Sequence, residues 1–261
     1  MNAKPPNART PDWDIDSMFV DRWSPRAFLS DPLTEREIQT LFEAARWAPS
    51  CYNEQPWLFV YATAPEQRQK LVACLMAKNQ LWAGQAPVVM FVLARRNFQK
   101  TGKENRHAPF DAGAAWMALA LQAHKLGLYA HAMAGFNQDK AYETLGVSRD
   151  EFHVMAAIAV GRLGDASGLP DALRAMESPN SRKPHAEVAT DLFPLFHTGS
   201  IQIGLDATNS DEFRSPFPCR HPCPPVQPGV RPGFGGCSRA GPVGGGASGH
   251  RRRRDPGGCR P

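Results

Sequence analysis

The stretch Ala48-Pro-Ser-Cys-Tyr-Asn-Glu-Gln-Pro-Trp-Leu-Phe59 decides how the rest of the chain is read. It joins a helix expected over Thr34 to Trp47 to a strand expected over Trp57 to Thr63. Pro49 stops the helix, since an interior proline removes an amide donor and clashes with the preceding turn. Pro56 biases Gln55 towards extended backbone just before the strand. Ser50, Cys51, Asn53 and Gln55 lie between the two prolines. Loops held by rigid flanks are where binding groups collect. Asn and Gln amides supply donors and acceptors together, which suits the edge of a flat heterocycle. A plain polar connection between helix and strand is the other reading of this stretch.

Upstream, Thr10-Pro-Asp reads as the start of a short helix with Trp13, Ile15, Met18 and Phe19 on one side. Asp21-Arg-Trp-Ser-Pro-Arg-Ala-Phe28 follows, with two arginines flanking a serine. Arg22 and Arg26 can fork around a phosphate with Ser24 adding a hydroxyl, or the segment is a solvated basic turn. Thr34-Glu-Arg-Glu37 is a capping box, and Ile38, Leu41, Phe42 and Ala45 continue at helical spacing.

Downstream, Pro65 to Met76 reads as a helix and Pro87 to Ala94 as a buried strand rich in β-branched residues. The polar run from Asn97 to Ala108 reads as a mobile excursion. Phe110 to Leu126 reads as a long helix closed by Gly127. It is apolar nearly all round, so it is a central helix or also packs on a second subunit. Leu128 to Gly135 leads out through the small-residue turn Met133-Ala-Gly-Phe136. Asn137 to Leu145 reads as a short helix and His153 to Val160 as a third strand. Strands separated by helices in two layers give an α+β or α/β class.

Bulk properties narrow the function. The chain has 261 residues and a net charge of +5, but residues 211–261 hold nine arginines against three acids. That +6 leaves −1 for residues 1–210, so the body offers no argument for nucleic acid or membrane binding. The same tail holds eleven of the 22 glycines and ten of the 24 prolines; with no apolar periodicity it cannot build a core. It is either a disordered basic appendage or the product of a shifted reading frame. The spacing of its cysteines makes no convincing metal set. Cys51 and Cys74, the two scattered thiols of the body, fit a reducing compartment, hence a cytoplasmic location. The polar N-terminus shows no secretory h-region, and no apolar run reaches the ~20 residues that span a bilayer.

Three segments, in order, resemble the nitroreductase family of flavin enzymes. Arg22-Trp-Ser-Pro-Arg26 is similar to its RxSxR phosphate motif, the stretch from Ala48 to Trp57 to its APSxxNxQPW loop, and Asp111 to Leu128 to its central helix ending in LGL. The resemblance covers about residues 13–194. It implies an α+β fold with a central mixed sheet flanked by helices, working as an intertwined homodimer with FMN in two interface clefts. The expected organisation is a flexible N-terminus (1–12), an FMN-binding domain (13–195), an unassigned extension (196–210) and the tail (211–261).

Carried over by position, the resemblance assigns Arg22, Trp23, Ser24, Arg26 and Arg182 to the FMN phosphate and ribityl end. Pro49, Ser50, Cys51 and Asn53 line the flavin ring from the partner subunit. Ala134 and Gly135 present backbone amides to the N5 and O4 edge, and Asn79 adds a polar contact. Cys51 stands where serine or glycine is usual, and Ala134 where some relatives carry glutamate. NADH or NADPH would reduce the flavin, and a nitroaromatic, quinone or activated alkene would reoxidise it in the same cleft by a ping-pong exchange. No side chain is expected to be catalytic, because the cofactor carries the chemistry. His107, His124, His131 and His153 are scattered and read as structural. Two other functions fit the same motifs: flavin binding or storage without turnover, and a specialised dehalogenase or flavin-cleaving branch.

Overall fold

A computed structural model describes residues 7–191; the expected extension (196–210) and tail (211–261) lie outside the described residues. The first helix, α1 (Ser17–Asp21), starts later than Thr10-Pro-Asp suggested, because the Asp16 side chain caps it by accepting from the Met18 amide. The segment before α1 is held another way. Arg9 donates to the carbonyls of Val20, Arg22 and Asn180, and Asp12 accepts from the His185 amide. Trp13, Ile15 and Phe19 are therefore exposed rather than forming an inward face.

Helix α2 (Glu35–Arg46) has the anticipated capping box, with Thr34 and Glu37 each satisfying the other's backbone amide. It buries Ile38, Leu41 and Ala45. Strand β1 (Trp57–Ala62) follows the organising loop. The helix expected from Pro65 to Met76 ends earlier, as α3 (Pro65–Val72), and a further helix that the sequence reading did not anticipate, α4 (Ala77–Ala83), follows it. The break is made by tertiary pairing. Leu75 bridges to Phe136, and the Met76 amide donates to the Gly135 carbonyl at 2.9 Å.

Strand β2 (Val88–Arg95) is buried along seven of its eight residues. Alternate side chains of a strand point to opposite faces, so it feeds two cores at once. Val89, Phe91 and Leu93 join a cluster with Leu71, Trp82 and Tyr142. Val88, Met90, Val92 and Ala94 join one with Ile38, Leu41, Ala115 and Leu119. The polar run after β2 is not an open excursion: Asn97 bridges to Glu104 and the Phe98 amide donates to the Lys103 carbonyl, with Gly102 at φ +68° turning the chain. A positive φ of this kind is where glycine costs least.

Helix α5 (Ala108–Lys125) is the central helix, and its small residues Ala112, Ala115, Ala120 and Ala123 let it lie close on the sheet and α2. Strand β3 (Tyr129–Met133), where only a lead-out was anticipated, pairs with β4 (Phe152–Gly161). Helix α6 (Gln138–Leu145) ends at Gly146 with φ +64°. A short α7 (Asp171–Arg174) follows β4.

The sheet order is β1-β2-β4-β3, with helices on both faces. The class is α+β as expected, but every described strand pair is antiparallel, so the described sheet is not mixed. The chain reverses between β1 and β2, through α3 and α4, and between β3 and β4, through α6; β2 and β3, joined through α5, run the same way on either side of β4. Among the described residues no helix is long and apolar enough to cross a membrane.

Candidate functional site

The basic turn after α1 is built on one buried carboxylate. Glu177, whose side chain is 3% exposed, accepts the Arg26 and Ala27 amides at 2.6 and 2.8 Å. Its second oxygen faces the Arg26 guanidinium at 3.7 Å. On the other side the His131 ring of β3 meets the Pro25 carbonyl through Nδ1 at 2.8 Å and lies against Trp82 of α4, centroids 4.6 Å apart. Burial first, and then the charges of Arg26 and Arg22, push the His131 pKa down to about 4 against the favourable bond to Pro25. The ring is therefore neutral near pH 7, and Nδ1–H is the donor to Pro25.

Four guanidiniums gather here. Arg22 reaches Ser24 Oγ at 3.4 Å. Burial and then the charge of Arg182 hold Arg22 below its usual range. Burial, Arg182 and Arg22 do the same to Arg9, against an opposing pull from Asp21. Arg182 is exposed and, among the described residues, donates to the carbonyls of Asn180 and Ser181. Four cations facing two acids, Glu177 and Asp21, leave positive charge to be met by an anion. The Trp23 indole is 2% exposed and meets Tyr129 edge-on, so from its place in the core it anchors the turn.

Asn79 and Gly135, assigned separately from the sequence, are brought into contact. Asn79 Nδ2 donates to the Gly135 carbonyl at 2.9 Å, and a Cβ added to Gly135 would stand 2.7 Å from that nitrogen. The close approach is what requires glycine. Asn79 is one turn from Trp82 on α4, and Ala134 and Gly135 follow β3 directly. This turn therefore belongs to the same flank of the protein as the arginines.

The loop from Pro49 to Asn53 lies elsewhere, leading into β1 at the other outer edge of the sheet. The stretch from Pro49 to Gln55 contains three left-handed non-glycine residues: Tyr52 (φ +52°), Asn53 (φ +57°) and Gln55 (φ +51°). Gln55 is thus not extended, despite Pro56. Each such residue costs on the order of 1–3 kcal/mol and persists only when its surroundings over-determine it. Here Ser50 Oγ accepts from the Gln55 amide at 3.0 Å, the Asn53 amide donates to the Ser50 carbonyl, and the Cys51 amide donates to buried Asp111 of α5 at 3.1 Å. Glu54 Oε1 accepts from the Gln99 amide at 2.5 Å. The result presents the Tyr52 ring 90% exposed, edge-on to Phe98.

Sequence reasoning missed Arg9 and Glu177, and it read His131 as structural without placing it at the arginine turn. Arg9 and Glu177 sit in polar segments with no motif around them, and only the folded contacts reveal their part. Among the described residues no cluster of three or more His, Cys, Asp or Glu could hold a metal ion.

An antiparallel sheet with helices on both faces thus carries the arginine turn near one edge and the strained amide loop near the other. The nitroreductase family model matches residues 20–81 and 72–162, more than half of the chain, and the protein belongs to the nitroreductase family. The chain is similar to "Putative NADH dehydrogenase/NAD(P)H nitroreductase RSc1004" of Ralstonia nicotianae, 24% identical over 50% of this chain and 76% of that protein. A like-named protein, Smlt0482 of Stenotrophomonas maltophilia, is 29% identical over 49% of this chain and 75% of its own length. Among solved structures, one described as an oxidoreductase containing FMN is 42% identical, with a TM-score of 0.68 over 72% of this chain and 97% of that one.

Proposed function

We propose that this chain is an FMN-dependent NAD(P)H oxidoreductase that works as a homodimer. The observation that carries the reading is the arginine turn, whose excess positive charge matches a phosphate dianion. The Asn79–Gly135 contact, joined through Trp82 and His131 to Pro25, sets a backbone amide turn on the same flank as the arginines, which supports a ligand held at both places. FMN-containing and NAD(P)H-named relatives support the same reading.

In it, Arg22, Ser24, Arg26 and Arg182 hold the phosphate and ribityl chain, and Glu177 and His131 hold the turn that carries them. The amides of Ala134 and Gly135, steadied by Asn79, donate to one edge of the ring. Pro49, Ser50, Cys51 and Asn53 lie at the opposite sheet edge and complete the site of the other protomer. The bound flavin supplies two-electron exchange between NAD(P)H and a nitroaromatic, quinone or activated alkene that enter one cleft in turn. The protein's part is to orient the ring, to donate hydrogen bonds where charge develops, and to keep water out.

The experiment is a complementation. Arg26→Ala and Asn53→Ala chains are purified apart, mixed after reversible dissociation, and assayed for FMN content. Random reassortment makes half of the dimers mixed, each with one intact site of two, so FMN binding returns towards a quarter of the wild-type stoichiometry. Full FMN retention by Arg26→Ala alone, or no recovery on mixing, contradicts the reading.

A further inference from the structure

A second polar cavity lies apart from the arginine turn, between the start of α5 and the adjoining ends of β2 and β4. Its volume is about 400 Å³, and Arg96, Asn97, Glu104, Asn105, Arg106, Pro109 and His153 line it. Asn105 is 2% exposed. Its Oδ1 accepts from the His107 amide at 3.1 Å, which fixes which end of the amide is which. Nδ2 is thereby left buried with no hydrogen-bond partner among the described residues, and Arg96 Nε is in the same condition. A buried donor without a partner costs roughly 1–3 kcal/mol, so two of them in one cavity wall call for an acceptor.

The charges agree. Neither Arg96 nor Arg106 has an ion pair among the described residues, and Glu104 at the exposed rim offsets only one of them. Burial and then the Arg96 charge hold His153 below its usual pKa against an opposing pull from Glu104, so it adds no further positive charge. The cavity opens at the N-terminus of the 18-residue α5, whose macrodipole favours negative charge there, while Pro109 has no amide and the Ala108 amide donates to the Asn105 carbonyl.

We propose that this cavity is a second ligand site, which takes the phosphate group of a small molecule between Asn105 Nδ2, Arg96 and Arg106. Donors from the two ends of the 96–106 connection suit a group with three or more acceptor oxygens better than a carboxylate with two. The proposal is independent of the flavin reading, because none of these residues is assigned to FMN.

The test is calorimetric titration of the full-length, FMN-saturated protein with inorganic phosphate at constant ionic strength. Asn105→Asp is the decisive variant: it keeps the oxygen that caps His107 but replaces the donor by a carboxylate oxygen. Arg106→Gln, at an exposed position, is the second. The expected result is saturable binding that Asn105→Asp abolishes and Arg106→Gln weakens about tenfold, with flavin absorbance unchanged in both and the melting temperature unchanged in Arg106→Gln. Arg26→Ala, refilled with FMN, binds phosphate as the wild type does. No saturable binding, binding unaffected by Asn105→Asp, or equal binding of acetate overturns the proposal. Loss of phosphate binding in Arg26→Ala alone also overturns it, by assigning the ion to the arginine turn.

Discussion

At the scale of single residues, Glu177 is the clearest case of a group whose importance the sequence hides. It takes two backbone amides that point inward from Arg26 and Ala27. Glu177→Ala strands both, at roughly 1–3 kcal/mol each, and frees the turn. The expected outcome is a lower melting temperature together with weaker FMN retention, measured by denaturation and by flavin release on dilution. Gly135→Ala tests the other half of that flank. Its methyl group would meet Asn79 Nδ2 at 2.7 Å, so Asn79 must give up its bond to the Gly135 carbonyl. Stability falls by about 1–3 kcal/mol, and Asn79→Ala in the same chain restores part of it. His131 gives a pH signature. Its folded pKa of about 4 lies below its ordinary 6.5, so the unfolded chain binds the proton first. Stability is whole above about pH 6.5 and falls as pH drops towards 4, by up to roughly 3 kcal/mol. Melting curves across this window check it: His131→Gln flattens that part of the profile. The arginines and the amide loop were legible from residue type and spacing. Their supports were not, because a lone Glu or His carries no local pattern that says what it will touch.

Among the elements, those with a strong local code formed where their sequences said. The α2 capping box is one, and Thr34→Ala is expected to cost about 1 kcal/mol, a fall of roughly 2–4 °C in melting temperature for a domain of this size. The elements misread were those that tertiary pairing decides. The Tyr129–Met133 strand has two alanines and a histidine, too weak an alternation to announce itself, and it exists because β4 offers it an edge. The split between α3 and α4 exists because Leu75 and Met76 are captured by the 135–136 turn. The organising loop shows the same limit from the other side. Two prolines marked its ends, yet three left-handed residues could not be read from a segment with no glycine.

For the whole molecule, the sheet order carries the functional argument. The arginine flank adjoins β3 and the amide loop leads into β1, the two outer strands of one sheet. Side chains assigned to one flavin thus lie on opposite edges of one protomer, and two protomers unite them in the proposed dimer. Exposed Phe110, Met117 and Leu126 along α5, with Trp47 and Tyr52, give the apolar surface that such a dimer would cover. The α+β class and the order of the motifs were legible in the sequence, while the antiparallel sense of the sheet was not, since connection length alone leaves strand direction open. The most direct measurement is the visible absorption spectrum of the purified full-length protein, taken under nitrogen before and after NADPH. The account predicts a yellow, FMN-like spectrum that bleaches on addition of NADPH and returns with a quinone. A colourless protein that cannot be loaded with FMN would contradict it.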